Sequence, residues 1–258
     1  MVDTPDANGW TPLHHAVKEG RLRDIQRLIQ NGADVNKTTG QSSGPTATRF
    51  FSPLHIAVQE GQHEALKLLL AVNGIKVDKM KTANETPLYL AAEKGDIEAV
   101  NLLIAKNADV NKEARGGFTP LWAAASNGHA EVVKLLIDAG ASVSVQTSTF
   151  VAPPLISAIH NDHVEVVRVL LTAGAPVDEA SNGGVTPLMA ATRNGNGDII
   201  RMLATAGADV NLSGVEWQGR PGYVTPLICS IRHSKSPLLN CCWSLAPMPL
   251  SRAARRRR

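Results

Sequence analysis

One tripeptide recurs along this chain in near-constant register, and that repetition restricts the possible folds more than any other feature. Thr-Pro-Leu or a close variant begins at Thr11, Ser52, Thr86, Thr119, Pro153, Thr186 and Thr225, with steps of 41, 34, 33, 34, 33 and 39 residues. Each start leads into a small-residue segment, a turn near Asn-Gly, a second apolar-periodic segment, and a Gly-Ala-Asp-Val-Asn ending or a relative of it. The ending reads GADVN at 32–36 and 207–211, NADVN at 107–111, GASVS at 140–144 and GAPVD at 174–178. Self-similarity at a fixed period of roughly 20–50 residues is the mark of one supersecondary unit copied along the chain.

Physical chemistry assigns each recurring position a task. Thr11 suits a helix N-cap, because its hydroxyl oxygen accepts from a free backbone N–H, and Pro12 suits the first helical position. Leu13, Ala16 and Val17 then fall on one helical stripe. The alanine of that stripe returns as Ala57, Ala91, Ala124, Ala158 and Ala191, becoming Ser230 in the last copy. A small residue held there predicts a close helix-to-helix contact. Gly20, Gly61, Gly95, Gly128 and Gly195 stand where the first helix must stop in a left-handed conformation, and Asp162 takes that place once. A second helix follows, for example Glu131 to Ala139, with Val133, Leu136 and Ile137 on one face and Gly140 ending it.

A single unit of this kind cannot bury its own apolar face, so neighbours must stack. The first copy should then be polar on its outward side. The positions equivalent to Val132 are Ala65, Ala99, Val166 and Ile199, but Asp24 in the first copy. Those equivalent to Leu135 are Leu68, Leu102, Val169 and Met202, but Arg27 in the first, and His15 likewise replaces Ile56 and Leu90. Being three apart, Asp24 and Arg27 share a helical face.

These motifs together resemble ankyrin repeats, and the resemblance covers about Asp6 to Trp243. It implies an all-α solenoid of stacked helix-turn-helix units with β-hairpin loops, a concave groove and hairpin fingers that bind a protein partner, and no catalytic site. The expected division is a capping repeat over 1–36, an extended hairpin insertion over 37–51, and five repeats over 52–211. A second insertion over 212–224, a partial seventh repeat over 225–243 and an irregular basic tail over 244–258 complete it.

Other functions find little support. The net charge is +3, but Arg252, Arg255, Arg256, Arg257 and Arg258 supply five positive charges and the rest carries −2. A nucleic-acid binder needs a basic stripe along its body, and none is visible. Cys229, Cys241 and Cys242 form neither a disulfide framework nor a zinc spacing, which favours a reducing, cytoplasmic setting, or a nuclear one if the arginine tail is genuine. Met1 to Asn8 has no signal-peptide pattern, and the longest mostly apolar stretch, Leu238 to Leu250, is too short and proline-rich to span a bilayer. A soluble monomer without cofactor, metal or small-molecule substrate is the expectation. His14 and His15 point about 100° apart on a helix and cannot share an ion from one face. His14 and His55 occupy the place after Thr-Pro-Leu where the resemblance implies a structural histidine. Gly195-Asn196-Gly197 lies between helices, not after a strand, and lacks a third glycine for a dinucleotide loop.

The asparagines of the repeat endings have two readings. Asn36, Asn111 and Asn211 are similar to asparagines hydroxylated in ankyrin repeats of animals. An asparagine that ties down a turn through side-chain hydrogen bonds accounts for the same residues.

Only 4% of the residues are aromatic, so the placement of each one is informative. Trp10, Phe50, Phe51, Phe118, Phe150, Trp217 and Tyr223 precede the Thr-Pro-Leu starts, while Tyr89 and Trp122 directly follow one. The resemblance implies that these hairpins and first helices line a concave groove that grips a partner, and aromatic side chains dominate interface energetics. Packing against a neighbouring hairpin is an equal reading for Trp10 and Phe118. The insertion ending in Phe50 and Phe51 is rich in Gly, Ser and Thr, and the second contains Trp217, Arg220 and Tyr223. Because Phe51 and Trp217 sit in insertions, the stack is expected not to need them.

The pattern dissolves after Leu239 into NCCWSLAPMPLSRAARRRR. With suitably chosen synonymous codons, Asn240 to Met248 read one nucleotide earlier becomes Gln-Leu-Leu-Leu-Glu-Pro-Gly-Ala-Asp-Ala, the missing end of a repeat in register. This favours a frame shift, and with it a longer native chain. It motivates an alternative in which the chain is the substrate-recruiting part of a larger protein, such as a ubiquitin-ligase adaptor or a channel's cytosolic domain.

Overall fold

The computed structural model describes residues 2–40, 50–144 and 152–212, with the backbone of 214–215 and 223–224. The chain divides into two compact units, Met1–Val151 and Ala152–Arg258. The first holds α1 (Pro12–Lys18), α2 (Leu22–Gln30), α3 (Pro53–Gln59), α4 (His63–Leu70), α5 (Pro87–Lys94), α6 (Ile97–Ile104), α7 (Pro120–Ser126) and α8 (Ala130–Asp138). The second holds α9 (Pro154–His160), α10 (Val164–Thr172), α11 (Pro187–Asn194) and α12 (Gly197–Thr205), followed by β1 (Gly214–Val215) and β2 (Tyr223–Val224). The two strands pair antiparallel, Gly214 opposite Val224 and Val215 opposite Tyr223, inside the second insertion. Among the described residues no helix is long and apolar enough to cross a membrane.

Helices of seven to nine residues are marginal alone; here they survive by stacking. In the first unit α1, α3, α5 and α7 pack in succession as one layer, and α2, α4, α6 and α8 as the other. In the second, α9 packs on α11 and α10 on α12. The recurring alanines explain how closely the first-helix layer packs: Ala16, Ala57, Ala91, Ala124, Ala158 and Ala191 are all fully buried. Helix starts behave as their caps dictate. Thr86 accepts from the Tyr89 amide and Thr119 from the Trp122 amide, both at 3.2 Å, and Thr186 accepts from Met189. Pro153 has no hydroxyl, and α9 begins without a side-chain cap. At the first-helix stop, Asp162 adopts φ 57 in the place its relatives give to glycine.

The first repeat carries polar side chains where its successors carry buried apolar ones. Asp24 binds Arg21 at 2.9 Å and Arg27 at 3.0 Å in solvent, while the equivalent Ala65, Ala99 and Val132 are buried. His15 faces Asp6 at 2.9 Å.

A five-residue turn precedes α1, α5, α7 and α11, closed by the same backbone bond. It joins Asp6 N to the Trp10 carbonyl at 2.8 Å, Lys81 to Glu85 at 3.0 Å, Ala114 to Phe118 at 2.8 Å and Ser181 to Val185 at 3.0 Å. The same bond links Thr39 N to the Phe51 carbonyl at 2.8 Å before α3, although eleven residues intervene there instead of three. The first insertion therefore lengthens a turn between Thr39 and Phe51 and leaves the stack's register untouched. Phe51 itself lies in that register, contrary to its expected place outside it.

Neighbouring turns are tied by side chains. Asn36 Nδ2 donates to the Gly74 carbonyl at 2.9 Å and its Oδ1 accepts from Lys76 N at 2.8 Å. Asn111 repeats this with Gly140 and Ser142 at 3.2 and 2.8 Å. The tying role anticipated for these asparagines is thus present in both. At one tip the backbones themselves meet, with Gly40 N donating to the Gly9 carbonyl at 3.1 Å. Gly9 has φ 76, and a Cβ there would stand 2.2 Å from Gly40 N. Gly9→Ala should therefore lower stability by roughly 1–3 kcal/mol, from left-handed strain plus a displaced turn. An unchanged urea midpoint would contradict it.

Candidate protein-interaction surface

The residue just before each cap and the fourth residue after it share one helical face across the cap. In three of the first four repeats both are ring-bearing. Trp10 meets His14 edge-on at 6.0 Å, Phe51 meets His55 at 6.4 Å, and Phe118 meets Trp122 at 4.4 Å with planes tilted by 50°. These pairs lie within single repeats. Both Trp10 and Phe118 pack on their own first helices, and Phe118 packs also against Tyr89 of the preceding repeat. The outer rings Trp10, Phe51 and Phe118 all stay half-buried, so each presents part of its surface to solvent. Phe50 is half-buried too, its amide donating to Thr82 Oγ1 at 3.2 Å.

The inner members hold the surface in place. His14 is fully buried, and its Nδ1 accepts from the Thr11 amide at 3.0 Å. Nε2 must then carry the single ring proton, which it donates to the Lys37 carbonyl at 2.9 Å. His55 repeats the arrangement, with Ser52 N at 3.2 Å and the Glu85 carbonyl at 3.1 Å. One neutral imidazole thus caps its own helix and pins the next turn. Burial lowers the pKa of His14, and it pulls that of His55 down to about 4, aided by Lys81 and Lys79.

Tyr89 and Trp122 occupy the same register position as those histidines. Tyr89 is a correction to the expected surface: at 7% exposure it is buried with Ala114 and Ala123, under Phe118 and Trp122. Burial chiefly, with Glu93 and Glu85 contributing, pushes its hydroxyl up to about 12. The repeat register contained the signal, because a position filled twice by a structural histidine is an inward one. Trp122 stays half-buried, with Nε1 enclosed and without a hydrogen-bond partner among the described residues.

Cations cover two of the outer rings. Lys18 Nζ lies 5.4 Å from the Trp10 centroid and Lys81 Nζ lies 5.3 Å from that of Phe51, both within cation–π range. Beside Lys81 an open cleft of about 460 Å³ runs between α3, the following turn and α5, lined by Gln59, Lys81, Glu85, Leu90, Glu93 and Lys94 among others. Phe150, Trp217, Arg220 and the Tyr223 side chain lie outside the described residues, as do the cysteines, the seventh repeat and the arginine tail. Among the described residues no cluster of His, Cys, Asp or Glu is arranged to hold a metal.

Two-layer stacks of paired short helices, joined by pinned turns that display aromatic rings, define a helical-repeat protein. Sequence profiles agree: the family described as "Ankyrin repeats (3 copies)" matches residues 53–147 and 148–213, and "Ankyrin repeat" matches 8–40. The chain belongs to the ankyrin-repeat family, whose repeats are general protein-interaction modules. Among solved structures it is similar to the human ASB11 ankyrin repeat domain, with 28% identity, TM-score 0.73, and 93% of this chain and 100% of that one covered. It is also similar to the ankyrin repeat domain of Bcl-3, a member of the IkappaB protein family, with 26% identity, TM-score 0.74, and 90% and 99% covered. Human Inversin is 41% identical over 70 residues, 27% of this chain and 6% of Inversin. Human SMC5-SMC6 complex localization factor protein 1 is 37% identical over 73 residues, 28% of this chain and 6% of that protein. The matched segment thus spans about 6% of the length of these curated relatives.

Proposed function

We propose that this chain is a non-catalytic scaffold that binds a partner protein with its pre-helix turns and first helices. The observation that supports this reading is the recurrence of a half-buried ring at one register position, Trp10, Phe51 and Phe118, each braced from beneath by its own helix. Bracing removes rotamer freedom before a partner arrives, so less entropy is lost on binding. Trp217, Arg220 and Tyr223 are assigned to partner binding from their place in the sequence of the second insertion, whose strands β1 and β2 pair antiparallel.

The test is an affinity measurement with peptides selected on the immobilised full chain. Phe118→Ala should weaken binding about thirtyfold, the scale of an interfacial aromatic hot spot of roughly 2 kcal/mol. Lys134→Ala, exposed on the second-helix layer, should leave affinity unchanged. Equal affinities for wild type and Phe118→Ala would remove this side of the molecule from the binding reading.

A second reading, in which the chain recruits substrates within a larger multidomain protein, is favoured by the 6% share of Inversin that the match occupies. It uses the same surface and differs in what lies beyond it, which the sequence of the full transcript would show.

A further inference from the structure

Phe118 differs from the two rings that share its register. Lys18 lies over Trp10 at 5.4 Å and Lys81 over Phe51 at 5.3 Å, each a cation of the same chain. Phe118 packs on Trp122 at 4.4 Å, and no cation of the described residues lies over either ring. An arginine nevertheless stands in the same turn. Arg115 precedes Phe118 by three residues, inside the turn closed by the bond from Ala114 N to the Phe118 carbonyl at 2.8 Å.

The turn's own backbone holds ring and arginine as separate groups. Gly116 and Gly117 both have positive φ, 92 and 89, and the Phe118 ring closes on Gly116, where a Cβ would stand 3.1 Å from it. The ring thus covers the residue next to Arg115. The Arg115 amide is tied to the Ala83 carbonyl of the preceding turn at 2.8 Å, which fixes the base of its side chain. That side chain is exposed, and it makes no ion pair or ring contact among the described residues. Lys112 is half-buried and likewise in no ion pair. Glu113, the single carboxylate from Lys112 to Phe118, pairs with neither cation.

One turn therefore offers an apolar ring pair and an uncompensated guanidinium. The guanidinium is a flat fork of N–H donors that matches both oxygens of a carboxylate. Ring faces are electron-rich and disfavour an anion, so a carboxylate goes to the arginine and the rings are left for an apolar group. A foreign cation arriving on the rings would meet the like charge of Arg115. We propose that Arg115 and the Phe118–Trp122 pair form a two-part anchor for a partner protein's segment in which an aspartate or glutamate stands beside a bulky apolar residue. This rests on the scaffold reading above and specifies the partner's chemistry at one point.

The experiment selects random twelve-residue peptides displayed on phage against the immobilised full chain. Enriched peptides should share an aspartate or glutamate beside a bulky apolar residue. One of them is then synthesised in two forms, with the acid and with its amide, asparagine or glutamine. Calorimetry on wild type should show about a tenfold loss of affinity for the amide form. On Arg115→Gln, an exposed change, the two forms should bind within about twofold of each other, and a thermal melt matching wild type confirms that the fold is kept. Phe118→Leu should weaken both forms alike. Peptides weakened by Phe118→Leu but indifferent to amidation would overturn the anchor and leave the interaction surface standing. A loss on amidation that survives Arg115→Gln would overturn it too, by placing the acid elsewhere. Peptides indifferent to both Phe118→Leu and Arg115→Gln, or no enrichment at all, would overturn both.

Discussion

Leu136→Ala should lower the unfolding free energy by about 2–5 kcal/mol, the range for truncating a fully buried leucine. Leu136 lies on the inner face of α8 with no solvent exposure, beside the equally buried Val132 and Val133. Removing its branched end leaves a void between α8 and its neighbours α6 and α7. In a repeat array each unit is held only by the adjacent ones, so a void at one interface weakens a local coupling as well as the whole. Urea unfolding followed by circular dichroism measures the effect. Lys134→Ala on the exposed face of the same helix serves as the control and should stay within about 0.5 kcal/mol of wild type. Equal midpoints for the two variants would show that the α8 stripe is not a packed interface.

Acidification should remove roughly 3 kcal/mol of stability through His55 alone. Burial holds its folded pKa at about 4, against 6.5 in the unfolded chain. Between those values the unfolded state binds the extra proton and the folded state refuses it, so stability rises with pH across that window. The contribution is complete above about 6.5 and gone below about 4. The geometry explains the refusal: Nδ1 accepts from the Ser52 amide, and a proton there would face an N–H. His14 shifts in the same direction by the same arrangement. Following the His55 ring by NMR checks this, with the neutral-ring signal expected to persist below pH 5 in the folded protein. A ring that titrates near 6.5 while the fold is intact would refute it.

Much of this molecule was legible in its sequence because its code is short-range and repeated. Caps, apolar stripes, turn glycines and the polar outer face of the first repeat each depend on a few neighbouring residues. Seven copies made the register unmistakable. Asp162 could be placed in a left-handed turn from register alone, and it adopts φ 57. The stabilising role of His14 and His55 was legible too, as was that of Asn36 and Asn111.

Which rings face solvent was decided by tertiary structure. Tyr89 read as a surface aromatic because it stands beside a turn, yet it is buried beneath Phe118 and Trp122. Phe51 read as part of an insertion, yet the bond from Thr39 returns it to the stack. A repeat's sequence specifies its own turn and cap, since those are closed by local hydrogen bonds. It does not specify which neighbour covers a ring, because that contact depends on how adjacent copies pack. Lys18 over Trp10 is four residues from His14 on one helix, while Lys81 reaches Phe51 from the following turn, thirty residues along the chain by sequence number. Cap, stripe and register were therefore set by sequence alone, while the bracing of the rings and the cations that cover two of them emerged only when the repeats were stacked.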